Sequence, residues 1–309
     1  MCYNHIVFAL KEGENIMKQY KITEQNLNCP LSFNYSNIEG TIFPININGE
    51  KKILKVFQEN VDYLENKWRT LKSLEQVKEC FDDRFILPDM LAVTHKTIGY
   101  IMRYVNNINL ETLLNDYNVP FKQKIKCLKE MCLMLEECKR LRKTYEELSN
   151  FYIGDLHVNN FLFNLDTKKL NICDMDSCSI GNNKPFVYRY LSCSNSLNYL
   201  EKKYPKINGK YIPNENSDIY CSIMIILDFL YNGQVEAMTK DEFFKYINYL
   251  DSLKENGVRL FDKNLLYLFS RVYEEDSNIN PYEYLDSISE KSLVYSNNVT
   301  YFYSNIKSY

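Results

Sequence analysis

Asn48-Gly49 stands between two runs, Thr41–Ile47 and Lys52–Phe57, that are rich in β-branched and aromatic residues. In that setting Asn-Gly specifies a two-residue turn and hence an antiparallel hairpin. A shorter run of the same kind, Ser32–Tyr35, precedes it across Gly40. The period then changes: Val61, Leu64, Trp68, Leu71, Leu74 and Val77 recur at threes and fours, which predicts a helix over 60–79. A strand pair follows around Met90–Thr94 and Ile98–Tyr104. Beyond Asn106 the pattern turns helical. Leu110–Leu114 suits a short helix. Lys122–Leu148 suits a long one, with Ile125, Leu128, Cys132, Leu135 and Leu141 on one face. A strand-loop-strand region spans Phe151–Cys173, Ser217–Tyr231 is a very apolar helix, and two or three more helices fill 241–290. The chain therefore reads as α+β, with a β-rich part over 31–105, a mainly helical part over 106–309, and residues 1–30 as an N-terminal extension of mixed pattern.

Composition narrows the partners. A net charge of −3 gives no pull toward nucleic acid or an anionic membrane. Nine glycines and eight prolines in 309 residues argue against a long flexible linker. No stretch reaches the roughly 18 apolar residues of a membrane helix, and Ile6–Leu10 is too short for a signal-peptide core. Cys127, Cys132 and Cys138 fall in one predicted helix, and no pair of cysteines has zinc spacing, so the ten cysteines read as free thiols in a reducing compartment. The expectation is a cytoplasmic protein.

Two short segments carry the chemistry. In Ile153-Gly154-Asp155-Leu156-His157-Val158-Asn159-Asn160 an Asp precedes an Asn by five residues, and apolar Phe161-Leu162-Phe163 follows. A loop of this kind sets a carboxylate against a substrate hydroxyl and an amide oxygen against a metal. Leu170-Asn171-Ile172-Cys173-Asp174-Met175-Asp176 is an apolar strand that ends in two carboxylates. Asp174 beside Asn160 is hard-oxygen ligation of the type that suits Mg²⁺. The plainer alternative for each segment is a turn capped by Asp or Asn. Lys55 lies on the face of its run shared by Ile53 and Phe57, where an ammonium is costly unless an anion meets it.

Together and in this order, these segments resemble the catalytic and metal-binding loops of the protein kinase superfamily, in a divergent, bacterial-type Ser/Thr kinase-like form. The resemblance spans roughly residues 30–290. It implies a bilobal protein-kinase-like fold, a small β-rich N-lobe with one helix and a larger, mainly helical C-lobe. It implies an ATP-dependent phosphotransferase with ATP and Mg²⁺ as cofactors and a protein Ser or Thr hydroxyl as acceptor. Under it Asp155 is the catalytic carboxylate, Asn160 and Asp174 bind metal, and Lys55 meets the α- and β-phosphates. His157 contacts the γ-phosphate. Glu65 is the preferred helix partner of Lys55, with Glu59 and Glu75 as the other choices. Gly40 is the one glycine in the place of the phosphate-covering loop. Met102 borders the adenine pocket, the backbones of Arg103 and Val105 bond the adenine edge, and Leu162 forms its floor. Asp218 bonds the catalytic-loop backbone from the helix below.

The departures are specific. Gly-rich character is lost around Gly40, Ile153-Gly154 replaces His-Arg, and Asp176 stands for Gly, either as a second metal-facing carboxylate or in solvent. Gly154-Asp155-Leu156-His157 also resembles the aminoglycoside- and choline-kinase-like relatives, so a small-molecule acceptor is the second reading. A pseudokinase acting as a nucleotide-binding or scaffolding module is the third.

Overall fold

The computed structural model describes residues 19–23, 27, 40–58, 64–93, 97–182, 206–207, 210–211, 215–231, 240–255, 257–259, 261–270 and 279–290. The strand expected at Ser32–Tyr35, Glu59 and most of 177–215 lie outside them. The chain is a mixed α+β structure. Its first sheet has five strands: β1 (Gln19–Lys21), β2 (Gly40–Ile47), β3 (Glu50–Phe57), β4 (Pro88–Val93) and β5 (Ile98–Arg103), in the order β1-β4-β5-β3-β2. Only β1–β4 is parallel in this sheet. The β2–β3 hairpin turns at Asn48 and Gly49 with φ of 53° and 86°. Positive φ at both central residues is the type I′ geometry that matches strand twist.

β1 falls inside the segment read as an N-terminal extension. It contributes an edge strand, with Tyr20 opposite Ala92, and Ile22 just beyond it is buried against Phe43, Leu54 and Ile101. Parallel pairing across some seventy residues leaves no local turn signal, so periodicity alone does not reveal it.

Helix α1 (Leu64–Val77) covers one face of this sheet. Trp68 and Leu71 join Ile53, Phe57, Leu91, Tyr100 and Met102 in one apolar cluster. Leu74, one turn on, belongs to the larger core of the second half of the chain. That half begins with β6 (Asn107–Asn109) and contains α2 (Leu110–Asn115), α3 (Phe121–Thr144), β7 (Phe161–Asn164), β8 (Leu170–Ile172), α4 (Glu215–Tyr231), α5 (Lys240–Ser252) and α6 (Lys263–Ser270). β6, β7 and β8 form a small antiparallel sheet. Leu128, Met131 and Leu141 of α3 meet Phe151, Phe161 and, from α4, Ile226 and Leu227. The very apolar α4 is explained by its place in this core. The long helix stops at Thr144, where Tyr145 turns extended and a 3₁₀ turn over Glu146–Leu148 follows. Among the described residues no helix is long and apolar enough to cross a membrane.

The two halves are stitched where β8 approaches the sheet. Ile86 N–H donates to Ile172 O at 2.8 Å, and Ile172 N–H to Arg84 O at 2.9 Å. The loop that follows β8 is thereby set under β3 and α1.

Gly40 has a packing role at the start of β2. A Cβ there would sit 2.6 Å from the Val56 carbonyl oxygen, a contact with backbone that cannot rotate away. Gly40→Ala is expected to destabilise the protein by about 1–3 kcal/mol, read as a lower denaturant midpoint with unchanged slope.

Candidate active site

Alternation along β3 sends Lys55 to the face of Ile53 and Phe57, where it is 5% exposed. Register pairs Lys55 with Tyr100 across β5. The Lys55 Nζ donates to Asp176 Oδ2 at 2.6 Å and to Asp174 Oδ1. From α1, the buried Lys67 donates to the other Asp176 oxygen, Oδ1, and to Ser177 Oγ at 2.6 Å. The Tyr100 hydroxyl donates to Asp176 Oδ2 at 3.0 Å and lies 3.3 Å from Asp174 Oδ1. Both ammonium groups flank the Phe57 ring, 5.5 and 5.7 Å from its centroid, within the range where a ring face stabilises a cation. Four charged side chains from two elements and one loop thus converge around Phe57 and Tyr100.

Burial and mutual attraction shape these charges. Burial opposes the charged form of Lys55, yet Asp174 and Asp176 outweigh it and raise its pKa. Burial and the neighbouring Asp176 carboxylate push Asp174 up. Burial would also raise Asp176, but Lys55 and Lys67 overcome it and hold Asp176 far below the usual carboxylate range. Asp176 sits between two cations; Asp174 has one, and keeps 30% side-chain exposure.

Two sequence expectations are corrected here. Glu65 does not reach Lys55: its side chain is 66% exposed and pairs with Arg69 four residues on. At about 100° per residue, the buried residues Thr70, Leu71 and Leu74 fall on the side of α1 opposite Glu65. Lys67 lies with them. Asp176 neither faces solvent nor sits apart as a second open carboxylate; it is fully buried between the two lysines. Sequence reading misses Lys67, although its spacing to Leu71 and Leu74 (i+4, i+7) places it on the buried face.

The second loop is held from beneath. Asp218, in the first turns of α4, accepts from Ile153 N–H at 2.8 Å and Gly154 N–H at 3.0 Å. Asp155 N–H returns to Ile153 O at 2.9 Å, closing a γ-turn whose central residue, Gly154, has φ of 76°. A side chain there would be strained, which gives a physical reason for Gly before Asp155. Asn160 is 5% exposed; its Nδ2 donates to Asp155 O at 2.8 Å, and its carbonyl accepts from Cys173 N–H at 2.9 Å. The Asp155 and Asp174 loops are therefore bonded through Asn160. Asp174 itself adopts left-handed backbone, φ 61° and ψ 43°, a strained state of the kind that clusters at functional sites. His157 Nε2 lies 3.7 Å from Asp155 Oδ2, and His157 Nδ1 accepts from Asn159 N–H at 3.3 Å. Burial works against charge on both groups. Their mutual attraction nevertheless lowers Asp155 and raises His157.

Met102, Val105 and Leu162 come together in one apolar cluster with Ile42, Ile53 and Cys173. This wall adjoins Lys55 through Ile53 and Asp174 through Cys173. The Val105 carbonyl accepts from Asn107 Nδ2 at 2.6 Å. Arg103 turns its guanidinium outward to the Asp83 carbonyl, which also accepts from Asn171 Nδ2 at 3.0 Å.

The residues fit a hard divalent cation. With Nδ2 of Asn160 committed to Asp155, its Oδ1 is the atom left for a metal. With Oδ1 of Asp174 committed to Lys55, its other oxygen and its partial exposure leave it able to meet a cation. Among the described residues no group of three or more His, Cys, Asp or Glu is placed to hold a metal. A magnesium ion that takes one carboxylate, one amide and phosphate oxygens needs no such group.

The raised His157 pKa fixes a pH window. The ion pair with Asp155 stabilises the fold fully below the unfolded imidazole value of about 6.5, and this contribution disappears as pH rises through the higher folded value. NMR titration of His157 is expected to give a midpoint above that reference, falling in Asp155→Asn. In comparisons with known proteins, no family model and no curated sequence matches this chain.

Proposed function

We propose that the chain is an ATP-dependent phosphotransferase of bilobal, protein-kinase-like fold that transfers the γ-phosphate to a Ser or Thr hydroxyl of a protein. One observation carries the reading. Lys55, Asp155, Asn160 and Asp174, assigned their roles from separate segments, are gathered into two bonded loops and one strand beside an apolar wall. Lys55 and Asp174 meet across 119 residues of sequence. The five-stranded sheet with α1 corresponds to an N-lobe and the helical half to a C-lobe. The wall of Met102, Val105 and Leu162 suits a purine ring, and Asp218 supports the loop that carries Asp155.

In this reading Asp155 orients the acceptor hydroxyl. Its lowered pKa keeps it ionised near neutral pH, ready to take the hydroxyl proton as the oxygen bonds to the γ-phosphorus and the bond to the β-phosphate oxygen breaks. Lys55 meets the α- and β-phosphates. Asp174 and Asn160 would hold Mg²⁺, which supplies charge neutralisation to the phosphates. Catalysis of this kind is mainly positioning and electrostatic stabilisation.

A second reading, nucleotide binding without transfer, is favoured by one feature: the Lys55 ammonium is already matched by two carboxylates. Mg²⁺-dependent ATP turnover by the purified chain separates the two, with mass spectrometry recording phosphate on the chain and on added generic protein. Transfer is expected in the wild type. Asp155→Ala should lower the rate about 10²–10⁴-fold, and Asp174→Asn should abolish it. ATP binding without transfer under varied metals and acceptors would establish the second reading. No ATP binding at all would overturn both.

A further inference from the structure

The protein-kinase resemblance supplies a helix glutamate to hold the phosphate-binding lysine, and α1 has none in place. Its inward position is a lysine instead. We infer that Asp176 holds Lys55 in the role of that glutamate, and that Lys67 is the positioning residue that fixes Asp176, so the pair is the inverted-charge counterpart of a helix carboxylate.

The argument is one of charge and reach. Two ammonium groups flank the same Phe57 ring. Without an anion between them they would repel in a site where Lys67 is 1% exposed. Asp176 gives one oxygen to each lysine and is fully buried between them, so both of its oxygens face the ammonium groups. Ser177 Oγ takes another Lys67 proton, and the Tyr100 hydroxyl adds a donor to the Asp176 oxygen that Lys55 uses. Small glycine at 176 would leave Lys67 facing Lys55 with no intervening charge. A carboxylate at 67 would face the Asp176 carboxylate. The two departures from the family pattern therefore make physical sense only together. Their consequence is a tie between α1 and the loop of Asp174: the helix cannot move off the sheet without stranding a buried charge.

A charge-swap cycle tests this, with Lys67→Glu, Asp176→Gly and the double variant Lys67→Glu/Asp176→Gly, beside Lys67→Arg. Thermal melting is read without ligand, and affinity for a fluorescent ATP analogue with Mg²⁺ is read separately. Each single swap is expected to lower the melting temperature by several degrees and to weaken nucleotide binding about tenfold or more. The double variant is expected to recover both, and Lys67→Arg to stay near wild type. A double variant no better than the summed singles overturns the inference, because coupled residues must show non-additivity. So does an Asp176→Gly protein that melts and binds like wild type. Should the single variants not fold, the double variant decides alone: a cooperative melt supports the swap, an unfolded chain overturns it. The nucleotide arm rests on the phosphotransferase reading. If the wild type binds no nucleotide, that reading fails, while the melting cycle still decides whether Lys67 and Asp176 are coupled.

Discussion

Burying two ammonium groups and two carboxylates is tolerable only when each is matched, and the junction between sheet and helical half depends on that matching. Lys55 comes from β3, Lys67 from α1, and Asp174 and Asp176 from the loop after β8. Desolvating such groups costs several kcal/mol each in real proteins, so removing one leaves a penalty that the others cannot absorb. The geometry is specific as well as neutral. Asp176 has two oxygens and two lysines, and Tyr100 supplies a hydroxyl to the same acceptor set. To the apolar packing of Trp68 and Leu71 the bidentate carboxylate adds a directional constraint on the rotation and height of α1.

The second loop is organised by a different device. Its backbone is held: Asp218 takes two successive N–H groups, and a γ-turn at Gly154 leads directly into Asp155. Asn160 then spends its amide nitrogen on the Asp155 carbonyl and its own carbonyl on Cys173. The two loops are consequently one unit, with the left-handed Asp174 at its exit. Positive φ at a non-glycine residue is a cost that the surrounding bonds sustain.

Much of this is legible in the sequence because it is local. The hairpin at Asn48-Gly49 is written in two residues, and the amphipathic period over 60–79 marks the helix described over Leu64–Val77. Lys55 faces inward because strand alternation says so. Short motifs single out Asp174 and Asp218, and the structure sets Asp174 on Lys55 and Asp218 under residues 153–154. What escapes is non-local. β1 pairs in parallel with a strand about seventy residues on. Lys67 escapes notice because a lysine on a helix ordinarily belongs to the solvated face, and nothing near it in sequence announces the carboxylate 109 residues away that makes its burial possible. Glu65 attracts attention because a lysine invites an acidic partner. The helix instead turns that residue outward to Arg69.

The balance of charge also bears on what the site can admit. With its four charges matched, the quartet offers little net field to an incoming polyanion, and Asp155 adds a negative charge beside it. On the proposed reading, a free triphosphate would meet a lysine already engaged and carboxylates nearby. A nucleotide that arrives with its divalent cation meets something different. There Asp174 would hold the cation, and Lys55 would be able to meet a phosphate oxygen while Asp176 keeps its pairing with Lys55 and Lys67. On the same reading the carboxylate to yield would be Asp174, which is partly exposed and has a raised pKa, while Asp176 is fully buried and doubly paired. On that reading, division of labour between two aspartates two residues apart would let one loop bind and position at the same time.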